Sequence, residues 1–177
     1  MNGYWTPKGF KEISTTTLTP EVLTGTYVAW LISETSANAI RGWCKLVGIP
    51  NPVDTDYMHT TVMYSPELAV DPAEHGDHLL KQPYLASCRE RRSMEVLGAP
   101  GSTGSLVVKF NSPTLMARHL YWRDTRGLEH SFPEYIAHVT LAKDAGEVPP
   151  DVMKRVYANP LQLPIVYDRE RVSWVNK

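Results

Sequence analysis

Apolar residues follow two different periods along the chain, and their alternation predicts a mixed α+β fold. Residues 26–32 form a continuous run of strand-forming side chains, which is typical of a central strand covered on both faces. After Ser33, apolar residues recur three and four positions apart as far as Val47 and predict an amphipathic helix. Gly48 is placed to end that helix. Residues 57–64 then alternate with a period of two, which predicts a second strand.

The same order of elements returns in the second half of the chain. Two short strand patterns, 93–97 and 105–110, are separated by a turn rich in glycine and proline and predict a hairpin. A serine followed by proline at 112–113 supplies an N-cap and a first helical residue, and the helix is expected to end near Gly127. Residues 135–142 predict the strand that closes this half.

The remaining segments carry weaker patterns. Residues 1–20 show no period and are expected to form an irregular arm, while residues 65–90 contain three prolines and predict an irregular connection with a possible short helix at 73–81. Residues 149–157 predict a last short helix. Residues 163–175 predict a last strand pair or an extended tail.

An internal repeat relates the two halves. Residues 24–63 align with residues 103–142 without a gap, at a shift of 138 − 59 = 79 positions, and nine of the 40 aligned pairs are identical. Ordinary residue frequencies predict about two or three identities by chance. We therefore expect one domain over residues 1–177 with two pseudo-symmetric β-α-β lobes around a central cleft. Their bounds are about 21–64 for lobe one, about 93–146 for lobe two and 147–177 for a C-terminal tail.

Length, charge and cysteine content narrow the class of protein. The chain has 177 residues, which is long enough for one compact core, and its two cysteines are too few for a disulfide scaffold. Its formal net charge is −1. A near-neutral chain lacks the positive field that holds long nucleic acids. No apolar stretch approaches the length of a membrane span. We expect a cytoplasmic protein with no membrane segment and no obligate protein partner.

The repeat carries the tripeptide His-x-Thr in both halves, as His59-Thr60-Thr61 and His138-Val139-Thr140. Residues two apart on a strand share a face about 7 Å apart, so each histidine projects together with its threonine. Met63 is expected on the face of His59 and Thr61. One such motif alone would more often be a structural histidine on a strand, whereas the repetition of the polar pair indicates one shared site.

Two imidazoles that face each other across a cleft suit phosphoryl transfer without a metal. A neutral histidine can accept the proton of the attacking hydroxyl while a protonated one donates to the leaving oxygen, and a pKa of about 6.5 lets both forms exist near neutral pH. The threonine hydroxyls can then donate to the non-bridging phosphate oxygens. This chemistry predicts four catalytic residues: His59, Thr61, His138 and Thr140.

Competing chemistry has less support. The chain lacks the helical His-x-x-x-His and Cys-x-x-Cys patterns of zinc sites, and neither His-x-Thr contains a carboxylate. The segment 74–78, Glu-His-Gly-Asp-His, could hold a metal, although its composition favours a solvated turn. We predict no metal and no cofactor. The run Arg89-Glu90-Arg91-Arg92 is typical of a solvated surface, with attraction of an anionic substrate as the alternative.

Several segments resemble a known family. They are Thr24–Val28, Ile49–Val53, His59–Ser65, Ala117–His119 and Phe132–Leu141. The two His-x-Thr strands resemble the two-histidine (2H) phosphoesterase superfamily, and Ile-Pro-Asn-Pro-Val with Phe-Pro-Glu-Tyr makes the match look closest to phage anti-CBASS nucleases. The resemblance covers most of residues 24–146 and implies the LigT-like fold of that superfamily.

The resemblance also implies roles for individual residues. It assigns His59 and His138 as the acid-base pair and Thr61 and Thr140 as phosphate binders. Tyr27 matches a base-contacting tyrosine of the family, and Trp174 matches a tryptophan that touches the nucleobases. Either Asp168 or Glu170 could be the acidic residue that contacts a base.

The implied reaction is the opening of a cyclic di- or trinucleotide messenger such as 3′3′-cGAMP. A ribose 2′-hydroxyl attacks the adjacent 3′-5′ phosphodiester and leaves a 2′,3′-cyclic phosphate, and the loss of the messenger blocks CBASS antiphage signalling in the host cytoplasm. Two alternatives stay open at this point. One is a phosphodiesterase for RNA 2′,3′-cyclic phosphate ends or 2′-5′ oligonucleotides, and the other is a non-catalytic sponge that sequesters the cyclic nucleotide.

Overall fold

A computed structural model of the chain describes residues 3–6, 9–12, 25–86, 91–99, 101–132 and 134–175. The strands are β1 (Gly3–Thr6), β2 (Gly9–Glu12), β3 (Gly25–Ile32), β4 (His59–Ser65), β5 (Gly76–Ala86), β6 (Arg92–Leu97), β7 (Ser105–Phe110), β8 (His138–Ala142) and β9 (Ile165–Val175). The α-helices are α1 (Glu34–Val47), α2 (Pro113–Leu120) and α3 (Pro150–Ala158).

The strands form two sheets, one in each lobe. The larger sheet has the order β2-β1-β9-β3-β4, and β5 also pairs with β9; the smaller sheet has the order β6-β7-β8. The pairs are antiparallel except for the short parallel contact between β1 and β9. The predicted α+β class, with two lobes of mainly antiparallel sheet, is confirmed.

The sequence repeat corresponds to a structural repeat. The units β3-α1-β4 and β7-α2-β8 match in order, and both helices begin after a serine that caps a backbone N–H three residues on, Ser33 for Ser36 and Ser112 for Leu115. Both units also contain a glycine with positive φ, 90° at Gly48 and 69° at Gly127, the left-handed conformation that glycine adopts without strain. Before the second glycine, α2 widens into a π-type turn over Tyr121–Thr125.

Three segments differ from the sequence prediction. The predicted tail contains β9, which lies in the middle of the larger sheet between β3 and β5. The connection over 65–90 contains a 3-10 turn (Pro72–Glu74) and the long strand β5 in place of a helix, and the predicted irregular arm contains β1 and β2. The charged pattern of β9 resembles a solvated tail, but pairing to β5 places Asp77 directly opposite Arg171, where opposite charges stabilise the sheet.

One apolar core runs through both lobes. Its fully buried side chains come from α1, from the inner faces of both sheets and from α2, and include Ile40, Val62, Leu115, Leu141 and Tyr167. The inner faces of β4 and β8 contribute to this core together. The apolar core thus brings the two strands that carry His-x-Thr next to each other.

A β-bulge changes the face of one predicted residue. The pairing of β3 with β4 shifts between Val28 and Ala29, so that Val28 faces Met63 whereas Ala29 faces Thr61. Because of this extra residue, Met63 points into the core and is fully buried, and the prediction that it shares the face of Thr61 is wrong. Tyr64 takes that face instead, opposite Tyr27.

Candidate active site

The two motif strands are the adjoining edges of the two sheets. β4 is the edge of the larger sheet and β8 the edge of the smaller one. The side-chain hydroxyl of Thr60 donates to the backbone carbonyl of His138 at 2.9 Å. The hydroxyls of Tyr167 and Thr60 are 2.7 Å apart, and because the Thr60 proton is already used, Tyr167 is the donor of this second bond. The two His-x-Thr motifs therefore belong to one hydrogen-bonded assembly.

Both histidines are oriented in the same way. His59 Nδ1 lies 2.7 Å from the carbonyl oxygen of Tyr57, and His138 Nδ1 lies 2.7 Å from that of Ile136, two residues earlier in each case. A carbonyl only accepts, so Nδ1 carries the proton in both rings. Nε2 of each neutral ring is consequently the basic nitrogen, the atom that can accept a proton.

Tyr27 joins the first histidine to its threonine. The Tyr27 hydroxyl lies 2.7 Å from His59 Nε2 and 2.7 Å from Thr61 Oγ1. Because Nε2 of the neutral ring accepts, Tyr27 donates to His59, and Thr61 donates to Tyr27. The result is a directed chain of hydroxyl protons that ends on the basic nitrogen. The Tyr27 ring is buried and meets His59 edge-on at 6.0 Å, so its hydroxyl, rather than its ring face, is the part aimed at the motif.

Burial sets the protonation of both histidines. It lowers the pKa of His59 to about 4; the hydrogen bond to Tyr57 opposes this shift, while charges on His138, Arg171 and Lys143 add to it. Burial also lowers the pKa of His138, against the hydrogen bond to Ile136. Two neighbouring imidazoles whose environments differ can divide the acid and base roles between them. Both shifts favour the neutral ring, and the large shift belongs to His59.

Cationic side chains surround the first motif. Arg171 lies on β9 directly opposite Ala29, which is itself opposite Thr61, and Arg171 is held by two bonds to Asp77 at 2.5 and 2.7 Å. Lys143 lies just beyond β8, with its ammonium 5.6 Å from the centre of the Tyr57 ring. Both charges are close enough to lower the pKa of His59. The chain is near neutral overall, yet this site is locally suited to an anionic ligand.

The structure places two of the other predicted binding residues, Glu170 and Trp174, on the opposite face of the larger sheet. Glu170 is buried on the opposite face of the larger sheet, where it accepts two bonds from Arg118 at 2.5 and 2.7 Å and one from Trp30 at 2.8 Å. Trp174 lies on the same opposite face and packs against His75, with ring centres 3.7 Å apart. Asp168 lies at the irregularity in the pairing of β9 with β3, and its carboxylate accepts a hydrogen bond from Arg169 at 3.1 Å.

The sequence analysis did not predict two residues of this hydrogen-bonded assembly, Thr60 and Tyr167. Thr60 was treated as a spacer inside the motif, and Tyr167 as part of the tail. A signal existed for Thr60, because its counterpart Val139 in the repeat is apolar and fully buried, so a hydroxyl on that face requires a hydrogen-bond partner. Tyr167 could not be found in this way, since the partner comes from a strand whose place in the sheet the sequence did not predict.

Three polar side chains of the segment 74–78 have separate partners. Glu74 pairs with Arg126, Asp77 with Arg171, and His78 bonds the carbonyl of Glu74. Within the described parts of the chain, no cluster of three or more His, Cys, Asp or Glu side chains is placed to hold a metal ion.

The basic run at 89–92 is not a solvated surface throughout. Arg92 is buried and donates to the carbonyls of Ala86, Leu161 and Leu163, so it ties β6 to the chain before β9. Arg91 is exposed, and residues 89 and 90 lie outside the described residues.

A pocket of about 650 Å³ opens beside the second motif. Its lining includes Ile136 and Ala137, which directly precede His138, and Lys109, which is the strand neighbour of His138. Lys109 pairs with Glu95 at 3.0 Å. Polar side chains thus line a pocket that lies next to His138 along the chain.

None of the helices in the described ranges has the length and apolar character to cross a membrane.

Comparison with known proteins gives a consistent family. A family model described as anti-CBASS protein Acb1 matches residues 24–177. The anti-CBASS protein Acb1 of Enterobacteria phage T4 is 30% identical over 156 residues, which cover 83% of this chain and 86% of that protein. The protein of the same name from Yersinia phage phiR1-RT is 30% identical over 151 residues, 81% of this chain and 92% of that protein.

Two solved structures illustrate the similarity of the chain to known folds. The crystal structure of E. coli LigT complexed with 3′-AMP is 15% identical, with a TM-score of 0.47 over 86% of this chain and 95% of that one. A structure described as a phosphoesterase is also 15% identical, with a TM-score of 0.45 over 86% of this chain and 96% of that one.

Proposed function

Because the chain belongs to the anti-CBASS protein Acb1 family, we propose that it is a metal-independent phosphodiesterase that opens the 3′-5′ bonds of cyclic di- or trinucleotide immune messengers, such as 3′3′-cGAMP. The observation that carries the proposal is the matched pair of motifs. Each presents Nε2 of a histidine fixed in the same tautomer, and a direct hydrogen bond joins the two strands. This arrangement supplies one base and one acid to a single phosphate.

The proposed reaction begins with His59 as the base. Its lowered pKa keeps Nε2 neutral, and the ribose 2′-hydroxyl displaces the Tyr27 hydroxyl from the single lone pair of this nitrogen. Nε2 then takes the 2′-hydroxyl proton while that oxygen bonds to the adjacent phosphorus. The bond from phosphorus to the leaving 5′-oxygen breaks, and protonated His138 donates its proton to that oxygen. The products are an opened chain with a 2′,3′-cyclic phosphate and a 5′-hydroxyl. Water can then open the cyclic phosphate with the two histidines in reversed roles.

Proton transfer to His59 also changes the hydrogen bonds of Tyr27. Once Nε2 is protonated it can only donate, so the Tyr27 oxygen accepts from it and the Tyr27 proton becomes available to another acceptor. The freed Tyr27 proton can go to the Thr61 oxygen, which reverses the bond between these two hydroxyls and releases the Thr61 proton. The hydroxyls of Thr61 and Thr140 then donate to the non-bridging phosphate oxygens. Arg171 and Lys143 stabilise the charge that these oxygens hold.

The biological consequence follows from the substrate. Cleavage would lower the concentration of a signalling nucleotide in the host cytoplasm, so that the CBASS effector stays inactive. Anti-CBASS proteins of this family are encoded by phages such as T4. An antagonist of this kind would act on a small diffusible ligand and need no protein partner.

The direct test is incubation of the protein with 3′3′-cGAMP in EDTA, followed by chromatography and mass analysis of the nucleotide. Linear product is expected from the native chain and none from His59→Ala or His138→Ala. His78→Ala is a matched control, since this histidine is exposed on β5 and lies outside the motifs. Full activity of either motif variant would contradict the mechanism.

The same assay separates the alternatives. A sponge would bind the nucleotide and release it intact after denaturation. An enzyme for RNA ends would cleave a 2′,3′-cyclic-phosphate oligonucleotide far faster than the cyclic dinucleotide. Both outcomes would overturn the proposed substrate, and only the first would also overturn catalysis.

A further inference from the structure

An exposed aromatic ring lies near the site without a role in the proposed chemistry. The Phe132 side chain is 59% exposed, and its ring lies 6.0 Å from that of Tyr64 with an angle of 34° between the planes. Tyr64 is on the face of the sheet that carries His59 and Thr61, because of the β-bulge described above. A broad apolar surface is therefore presented to solvent on the side of the catalytic motif.

The loop that carries Phe132 is fixed to the motif strand. The backbone N–H of Ser131 donates to the carbonyl of Tyr64 at 3.1 Å, and the N–H of Tyr64 donates to His130 Nδ1 at 3.3 Å. The His130 ring meets Phe132 edge-on at 5.5 Å. A ring held in this way loses little conformational entropy when a ligand packs on it, which favours binding.

Successive ring contacts connect this surface to the reacting atoms. Phe132 contacts Tyr64 at 6.0 Å, Tyr64 contacts Tyr27 at 6.3 Å, and Tyr27 contacts His59 at 6.0 Å. The rings thus form a continuous aromatic strip that leads away from His59 to Phe132 on one side of the site. A cyclic dinucleotide carries two bases that extend outward from its ring of riboses and phosphates, and this strip offers an aromatic face to such a base.

We propose that Phe132, supported by Tyr64, is a stacking subsite for a nucleobase of the cyclic substrate. The inference rests on the proposed function, since it takes the bound phosphate as its origin. Its ligand class is a purine or pyrimidine attached to the ribose next to the scissile phosphate. Stacking on an aromatic face is tolerant of base identity and contributes about 1–3 kcal/mol per base, so this subsite provides affinity more than base selectivity.

The test measures binding in a protein that cannot cleave. In the His138→Ala background, equilibrium binding of 3′3′-cGAMP is compared with and without Phe132→Ala. The stacking range corresponds to a loss of affinity of about 5-fold to 150-fold, and Phe132→Trp should restore or exceed the parent affinity. Tyr157→Ala is the matched control, because Tyr157 is a comparably exposed aromatic (49%) on α3.

Inorganic phosphate supplies the second measurement. It can occupy the histidine and threonine groups but has no base, so its ability to compete with the nucleotide should keep the same inhibition constant in Phe132→Ala. Unchanged nucleotide affinity in Phe132→Ala would overturn the subsite, and so would an equal loss for phosphate and nucleotide. If the native chain leaves 3′3′-cGAMP uncut but Phe132→Ala still weakens its binding, the subsite is supported and the proposed function is rejected.

Discussion

The hydroxyl of Thr60 donates to the backbone carbonyl of His138 at 2.9 Å, and this bond joins the two His-x-Thr motifs directly. Thr60 is the middle residue of one motif and His138 the first residue of the other. The Thr60 side chain is fully buried, so the bond is shielded from competition with water. The relative position of the two histidines therefore depends on a residue that does not itself face the substrate.

Replacement of Thr60 by valine should weaken both stability and catalysis. Valine has the same shape and is the residue at the equivalent position, Val139, but it leaves the carbonyl of His138 and the hydroxyl of Tyr167 without this partner. An unsatisfied buried polar group costs about 1–3 kcal/mol, which urea unfolding can measure. We also expect kcat to fall more than KM changes, since the acid histidine loses its anchor.

Two variants serve as controls for this bond. Thr60→Ser keeps the hydroxyl and should retain most activity, whereas Tyr167→Phe removes only the second bond and leaves the donation to His138 intact. Similar kcat values in Thr60→Val and Tyr167→Phe would argue that the bond to His138 has no special importance.

Removal of the Tyr27 hydroxyl should impair the first motif alone. Tyr27→Phe keeps the ring but breaks the chain from Thr61 to His59 Nε2. A hydrogen bond of this kind contributes about 0.5–1.5 kcal/mol, so we expect kcat/KM to drop by about 2-fold to 13-fold. Steady-state kinetics across pH provides the measurement. An unchanged rate and pH profile would show that the hydroxyl has no part in proton transfer.

The pH dependence of kcat/KM should be bell-shaped and displaced to low pH. The rate should rise as pH increases through the pKa of His59, at about 4, because the base must be neutral. It should fall as pH increases through the lowered pKa of His138, because the acid must be protonated. Bound phosphate stabilises protonated His138, so the basic limb of kcat should lie at higher pH than that of kcat/KM. Coincident basic limbs would contradict this assignment.

Buried neutral histidines should make the protein less stable in mild acid. The pKa values of His59 and His130 are lowered to about 4, mainly by burial, so the unfolded chain binds more protons between pH 4 and the ordinary histidine value of about 6.5. The free energy of unfolding should therefore decrease as pH falls through this window, on the order of 1 kcal/mol per histidine. Urea unfolding at pH 7 and pH 5 measures the difference. His130→Asn should reduce the pH dependence, and a slope equal to that of the native chain would refute the assignment.

Glu170 should matter for stability rather than for base contact. Its carboxylate is buried and bonded to Arg118 and Trp30, so Glu170→Gln leaves Arg118 without its ionic partner. The expected loss is about 2–3 kcal/mol, below the full cost of breaking a buried pair because Arg118 is partly exposed. Thermal unfolding and the ratio of rates for two cyclic dinucleotides of different base would measure the two effects. A changed base preference at unchanged stability would restore the role that the family resemblance implied.

The internal repeat made most of the site predictable. Its shift of 79 positions gave the matching strands, the helix caps at Ser33 and Ser112, and the left-handed glycines at Gly48 and Gly127. It also placed each histidine on the face of its threonine. All of these depend on local periodicity, which a single sequence contains.

Features that depend on pairing between distant segments were not predictable. The position of β9 follows from partners more than 80 residues away along the chain, such as Asp77 for Arg171. The β-bulge that exchanges Met63 for Tyr64 has no glycine or proline to mark it. For the same reason Glu170 and Trp174, which resemble family residues, could not be assigned to a face before the sheet order was known.

The most direct test of the central claim compares 3′3′-cGAMP with its analogue that lacks both ribose 2′-hydroxyls. The proposed chemistry uses the 2′-oxygen as the nucleophile and the two histidines only as proton carriers. In EDTA, the native chain should convert the ribose dinucleotide to a linear product through a 2′,3′-cyclic phosphate. The deoxyribose analogue should bind and be recovered intact. Cleavage of both nucleotides at similar rates would contradict the account.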